Sequence, residues 1–297
     1  MAFAKRHLAF FALVALAIVW GYNWVVMKIA LQDASPFDFA ALRAFFGAMS
    51  LFLVLRVQGK SLKPEVLPET IVFGLLQTTG VIGLIHWALV GGGAGKIAVL
   101  NYTMPFWALL FAWIFLKERL HGKQWLSVGF ALAGLLLVLL PLSFTSDLFS
   151  KGLGILSGIC WATSAIFLKR LTQRRSIDLV SFTAWQMLIG SLPLILIALT
   201  VSDRPVQWTG SFMAALLYNI IPGSAVAWLL WFYALRQLPT GAASLGTLAV
   251  PVVGVFAART QLGEIPSMSE SIGIVLILLA LLLNAVPGRS FKAASKA

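Results

Sequence analysis

Apolar runs long enough to cross a bilayer follow one another from one end of this chain to the other, and few architectures accommodate that pattern. A spanning helix needs about 20 apolar residues, because each residue rises about 1.5 Å and the hydrocarbon core is about 30 Å thick. Ten such runs can be read, approximately at 8–28, 36–56, 70–90, 96–116, 123–141, 152–170, 178–200, 209–235, 241–260 and 267–287. They are apolar all round rather than striped, which suits helices surrounded by lipid and by one another. Of the 297 residues only 11% are charged, against about 25% in a soluble domain. That is too little charge to cover a water-facing surface. The expected fold is all-α: a polytopic membrane protein whose solvent is the lipid bilayer.

The formal net charge of +12 points to topology rather than to a nucleic-acid partner, because the cations sort by loop. The N-terminus, the loops after spans 2, 4, 6 and 8, and the C-terminus together hold sixteen Lys and Arg, from Lys5 and Arg6 through Lys60, Lys63, Arg174 and Arg175 to Lys296. The alternate segments hold five: Lys28, Lys96, Lys151, Arg204 and Arg259. Positive loops stay cytoplasmic. Both termini are therefore expected in the cytoplasm, with the chain in the inner membrane, and a wrong span count would have scrambled the alternation.

Internal similarity organises the spans further. Trp20-Gly21-Tyr22-Asn23-Trp24-Val25-Val26-Met27-Lys28 has a counterpart in Trp161-Ala162-Thr163-Ser164-Ala165-Ile166-Phe167-Leu168-Lys169, at an offset of 141. Pro105 aligns with Pro251, Glu118 with Glu264, and Ala88-Leu89 with Ala234-Leu235, each at an offset of 146. Because the second copy of the Trp-containing stretch is internal, the first is read as a structural helix rather than a cleaved signal peptide, despite Lys5-Arg6 and Ala15-Leu16-Ala17. The units are placed at 1–147 and 148–297, with five spans each. Five is odd, so the second unit enters the membrane from the opposite side. Two inverted five-helix repeats form a design common among secondary transporters.

The Trp20-Gly21 stretch, the Pro105…Lys117-Glu118-Arg119-Leu120 segment and the Pro251…Gly263-Glu264 segment resemble the EamA group of the drug/metabolite transporter superfamily, over essentially the whole chain. Among its members the chain looks most like the YddG-type exporters of aromatic and other apolar amino acids. The resemblance implies a central cavity between the repeats, export from the cytoplasm, and alternating access by movement of the repeats. The small multidrug members of the superfamily carry a membrane-embedded Glu in their first helix. Span 1 has none here, which puts carboxylate-based proton exchange in doubt.

Each of the ten acidic residues falls in a loop or near a span end, so the usual mark of an intramembrane proton or cation path is missing. There is no nucleophile elbow, Walker A loop or His-Glu-x-x-His motif, and Gly91-Gly92-Gly93-Ala94-Gly95 reads as a flexible connector. An enzyme acting on lipid-linked substrates would need such groups. No catalytic residue, cofactor or metal site is expected. The lone Cys160 is read as a packed thiol, and His86 as a hydrogen-bonded interfacial residue.

Neutral polar and aromatic residues remain inside the spans. Unpaired polar groups are costly in hydrocarbon, so they should face other helices or a cavity. Trp20, Asn23, Gln77, Asn101, Tyr102, Trp161, Ser164, Tyr218, Ser244 and Thr247 are the candidate substrate-binding residues. A neutral, aromatic-rich cavity suits a small solute with an apolar body, such as an apolar or aromatic amino acid. A permease for nucleosides, sugars or cationic drugs is the alternative. Trp113, Trp125 and Trp208 are read as interfacial. Arg43, about two turns into span 2, is read as structural, snorkelling or contacting a carbonyl, in preference to a substrate carboxylate. Pro105 and Pro251 are expected to bend spans 4 and 9 as paired hinges. The assembly is expected to be a monomer or homodimer.

Reporter fusions test the topology. Fusions after residue 297 and within the 59–67 loop are expected to read cytoplasmic, and fusions at 146–150 the opposite; a periplasmic C-terminus overturns the span count and the inversion together.

Overall fold

The computed structural model describes residues 2–116, 123–139, 146–227, 230 and 249–285, and among these the regular structure is all helical. The helices are α1 Ala2–Asp33, α2 Pro36–Val57, α3 Leu67–Gly91, α4 Ala94–Asn101, α5 Met104–Leu116, α6 Lys123–Leu139, α7 Ser146–Arg174, α8 Leu179–Val201, α9 Gly210–Val226, α10 Ala249–Gln261 and α11 Met268–Ala285. A described helical segment falls on each of the ten expected spans, with α4 and α5 sharing the fourth. Five of the helices are long and apolar enough to cross a membrane by themselves. Leu53, Leu196 and Phe256 are among many large apolar side chains left exposed on the outside, where lipid rather than water is the neighbour.

The relation between the halves is visible in α2 and α8, the second helix of each. Ser35 at the start of α2 donates to Asp203 beyond the end of α8 at 2.8 Å. At the other end, Lys60 beyond α2 pairs with Asp178 at the start of α8 at 2.7 Å. Equivalent helices therefore run antiparallel, as an inverted repeat requires. The remaining packing obeys the same exchange. The third helix of each half meets the first helix of the other, α3 on α7 and α9 on α1. Likewise α1 packs on α10 while α7 packs on α4 and α5, and the last helices, α6 and α11, pack on each other.

Close backbone approach fixes one of these crossings. A Cβ added to Gly190 of α8 would lie 2.4 Å from the Gly74 carbonyl oxygen of α3, and one added to Gly74 would lie 2.7 Å from the Gln186 carbonyl oxygen. Only paired glycines let these helices come so near.

Three departures from the sequence expectations carry physical reasons. The fourth span is interrupted at Tyr102 and Thr103 before α5 begins, so Pro105 sits in the first turn of a helix, where its missing N–H costs nothing. The interruption precedes the proline instead of following from it. Pro251 lies near the described start of α10, and residues 231–248 before it lie outside the described residues. The Gly91–Gly95 connector is pinned: Lys28 donates to the carbonyls of Leu89 and Gly92, and the Glu264 carboxylate accepts from the amides of Ala94 and Gly95 at 2.7 and 3.1 Å. A carboxylate is favourable at the N-terminus of α4, which has free N–H groups. Finally, both α3 and α9 contain π-helical turns, Leu75–Ile82 and Ile221–Val226, which begin at the same 146-residue offset as the matched prolines.

Asp178 generates a prediction about stability. It caps α8 by accepting from the amides of Val180 and Ser181 at 2.9 and 3.1 Å. Partial burial pushes its carboxyl up, but the hydrogen bond from Lys60, the two amides and the Lys60 charge outweigh this and hold it below the usual carboxylate range. A depressed carboxylate stabilises the fold above its unfolded value of about 4 and loses that contribution as pH falls through the folded value. Asp178→Ala is expected to cost about 1 kcal/mol at pH 7. Thermal unfolding in detergent should show the gap to wild type closing as pH is lowered from about 4.

Candidate functional site

The two halves meet around a cavity of about 770 Å³ of atom-free space, a figure that counts the open solvent at its mouth. Its wall comes from seven positions along the chain. Helix α1 supplies Trp20, Asn23, Trp24 and Met27; α2 supplies Arg43; α3 supplies Gln77, Thr78, Val81, Ile82 and Ile85. Asn101 and Tyr102 come from the broken fourth span, Trp161 from α7, Gln186 and Met187 from α8, and Gly223 and Ser224 from α9.

Repeat symmetry organises this wall. Trp20 and Trp161 are the matched tryptophans of α1 and α7. Gln77 and Thr78 match Gly223 and Ser224 at the 146-residue offset, and both pairs lie on the π-helical turns. Such turns recur at functional sites, where the wider helix re-aims side chains.

Contacts within the wall and from the layer behind it hold it in place. Ser164 donates to Gln77 Oε1, and Thr78 donates to Gln186 Oε1 at 2.7 Å. Ser157 donates to Asn101 Oδ1 at 2.8 Å. Trp20 Nε1 donates to the Gly223 carbonyl at 3.1 Å. The rings of Tyr102 and Trp161 meet edge-on, with centroids 5.4 Å apart. Fixed polar and aromatic groups of this kind present shape and hydrogen bonds to a solute. The described residues contain no cluster of His, Cys, Asp and Glu able to hold a metal ion.

Six of the ten sequence candidates line the cavity together: Trp20, Asn23, Gln77, Asn101, Tyr102 and Trp161. Ser164 stands one layer back, through Gln77. Tyr218 is also behind the wall, donating to the Val19 carbonyl at 2.8 Å and packing edge-on against Tyr22. Ser244 and Thr247 lie outside the described residues. Trp113, Trp125 and Trp208 are exposed on the outer surface.

Two readings change. His86 is fully buried instead of interfacial: its Nδ1 meets the Ile82 carbonyl at 2.7 Å, its ring packs on Phe39, and Nε2 has no partner. Arg43 neither snorkels nor reaches a carbonyl; it is buried, lines the cavity, and donates from Nη1 to Met27 Sδ at 3.0 Å. Gln186, Met187, Gly223 and Ser224 were not among the candidates. The repeat offset alone would have found Gly223, as the partner of Gln77.

The EamA-like transporter family model matches this chain twice, over residues 7–140 and 149–286. The chain belongs to that family. Its membership makes it a multi-pass membrane transporter and not an enzyme. Similar proteins include the uncharacterized transporter YoaV of Bacillus subtilis, 28% identical over 92% of this chain and 94% of the relative. A probable amino-acid metabolite efflux pump of Salmonella typhimurium is 28% identical, over 94% of this chain and 95% of the relative. One of Escherichia coli with the same description is 27% identical, over 90% and 91%. A solved crystal structure with a TM-score of 0.67 and 17% identity, covering 93% of this chain and 95% of that chain, shares the fold.

The ring pair gives the next test. If Tyr102 and Trp161 present a solute-stacking face, losing either ring costs about 1 kcal/mol, or several-fold in affinity. Trp161→Ala and Tyr102→Ala are expected to lower transport of the protein's solute several-fold at unchanged membrane levels. Trp125→Ala, at an exposed position, should transport as wild type does; equal transport by all three variants moves the binding face elsewhere.

Proposed function

We propose that this EamA transporter exports small apolar or aromatic amino acids, or similar metabolites, across the inner membrane by alternating access, with both termini in the cytoplasm. The observation that carries the reading is the cavity itself. It lies where the inverted repeats meet, and its wall pairs indole and phenol rings with neutral hydrogen-bonding groups. An apolar side chain stacks on such rings, and the amide and hydroxyl groups meet the polar end of an amino acid. The description of the Salmonella relative as a probable amino-acid metabolite efflux pump supports the same substrate class. Arg43 in the wall weighs against cationic drugs, because like charges repel and do so more strongly where protein replaces much of the surrounding water.

Matched faces of the two repeats support the mechanism. Each half presents a tryptophan and a π-helical turn to the cavity, one from each orientation, so rocking one half against the other exposes the same groups alternately to the two sides. No carboxylate of the described residues lines the cavity. The most buried one near a span end, Glu270, is paired with Lys96 at 2.7 Å and lies 3.6 Å from Lys151. Transport is therefore read as facilitated, running in either direction down the solute gradient.

Purified protein in liposomes, offered labelled amino acids, nucleosides and organic cations without any ion or pH gradient, tests substrate and coupling together. Uptake of phenylalanine or leucine in preference to the others is expected. Uptake of nucleosides or cations alone overturns the substrate class, and a strict need for a proton gradient overturns facilitated transport.

A further inference from the structure

Among the described residues, the cavity wall carries two buried polar atoms without partners, and they are of opposite kind. Arg43 is 8% exposed, and its Nε hydrogen has no acceptor. Among the described residues its hydrogen bond is the one from Nη1 to the thioether of Met27, a weak acceptor, and no carboxylate of them pairs with it. Asn23 is 6% exposed, and its Oδ1 has no donor. Both line the same cavity.

An unpaired guanidinium within a membrane span is unusual. Removing such an ion from water costs several kcal/mol unless a counter-charge and hydrogen bonds compensate, and intramembrane cations are ordinarily paired or functional. The helix holds this one firmly. Phe39, Arg43 and Gly47 follow each other at four-residue spacing on one face of α2. Phe39 packs on His86 and Phe212, and Gly47 lies against Met187, whose Cε would be 2.7 Å from a Cβ added there. With its neighbours on both sides locked in the core, the Arg43 head stays in the wall. On α1, one turn before the Met27 that Arg43 meets, Asn23 Oδ1 lies 3.6 Å from where a Cβ on Gly223 would stand, and the glycine leaves that space open.

We propose that Arg43 is the carboxylate anchor of the cavity and that Asn23 Oδ1 receives the ammonium group of the same molecule, so that the site selects α-amino acids with both charges in place. This rests on the reading of the protein as an amino-acid transporter and adds how the backbone end of the solute is recognised. A planar guanidinium matches a carboxylate with two parallel hydrogen bonds. The amide oxygen accepts from the ammonium, with the Trp20 and Trp161 rings beside it as neutral π-faces for the cation and the side chain. The zwitterion brings no net charge; its carboxylate answers Arg43, and its ammonium group needs only an acceptor, which is what the wall offers.

Competition against labelled phenylalanine in proteoliposomes tests this without altering the protein. Phenylalanine is expected to compete at least about tenfold better than phenylalaninamide, which lacks the carboxylate, in line with a charged hydrogen-bonded pair. It should compete several-fold better than 3-phenylpropionate, which lacks the ammonium group. Arg43→Gln should lose phenylalanine transport by at least about tenfold and Arg43→Lys should retain part of it; Asn23→Leu should erase the preference for phenylalanine over 3-phenylpropionate. Size-exclusion profiles establish that each variant is folded. Equal competition by phenylalanine and its amide, or full transport by folded Arg43→Gln, overturns the Arg43 assignment while amino-acid transport stands. Wild-type vesicles that move nucleosides but no amino acid overturn both.

Discussion

Water is absent from the middle of a bilayer, and most of this molecule follows from that. Every backbone amide and carbonyl there needs a partner within the protein, so the chain crosses as helices. Every polar side chain there must turn away from lipid. In this structure several of those side chains converge from both halves onto one internal cavity, where the inverted repeats meet. The solute cavity is thus the sink into which the bilayer drives the polar residues of the spans, and the apolar exterior is its complement. Hydrophobic burial, which organises soluble cores, contributes little to helix association in lipid; small residues and buried hydrogen bonds do that work instead. Gly74 against Gly190, Thr78 on Gln186 and Ser157 on Asn101 are instances of it.

Much of the fold was legible in the sequence because two signals are written in units longer than a single residue. Hydropathy over about 20 residues locates the spans, and the internal repeat pairs them. Both survive errors at any one position. The matched Trp20 and Trp161 were legible as cavity residues for a related reason, since a repeat doubles the signal. Residues whose role depends on a neighbour from a distant helix were not legible. Nothing near His86 says that Phe39 will cover it. Nothing near Arg43 says that α2 will turn it inward rather than toward the headgroups, because a long side chain two turns from a span end has both choices. Gln186 lies on α8, whose sequence reads as apolar, and only the close approach of α3 through paired glycines brings it to the cavity. The interruption at Tyr102 was masked by Pro105, the more conspicuous residue three positions on.

The connector between α3 and α4 shows how far composition alone can mislead. Three consecutive glycines and a fourth nearby, Gly91–Gly93 and Gly95, read as loose chain. Their use here is steric: a Cβ on Gly93 would lie 2.7 Å from Glu264 Oε2. The absence of side chains lets a carboxylate from α10's end reach the amides of α4, so a segment rich in glycine becomes a point of attachment between the two halves.

The matched π-helical turns of α3 and α9 carry a consequence of their own. A turn of this kind is a local fault in the helical lattice, with one bond reaching a residue too far. Because the two faults occupy the same register in units that face opposite ways, the molecule holds a left and a right copy of one mechanical part. Under the alternating access proposed above, the shape α3 takes when the protein faces one compartment is the shape α9 takes when it faces the other. Two end states then need only a single set of instructions, written twice and read in opposite directions.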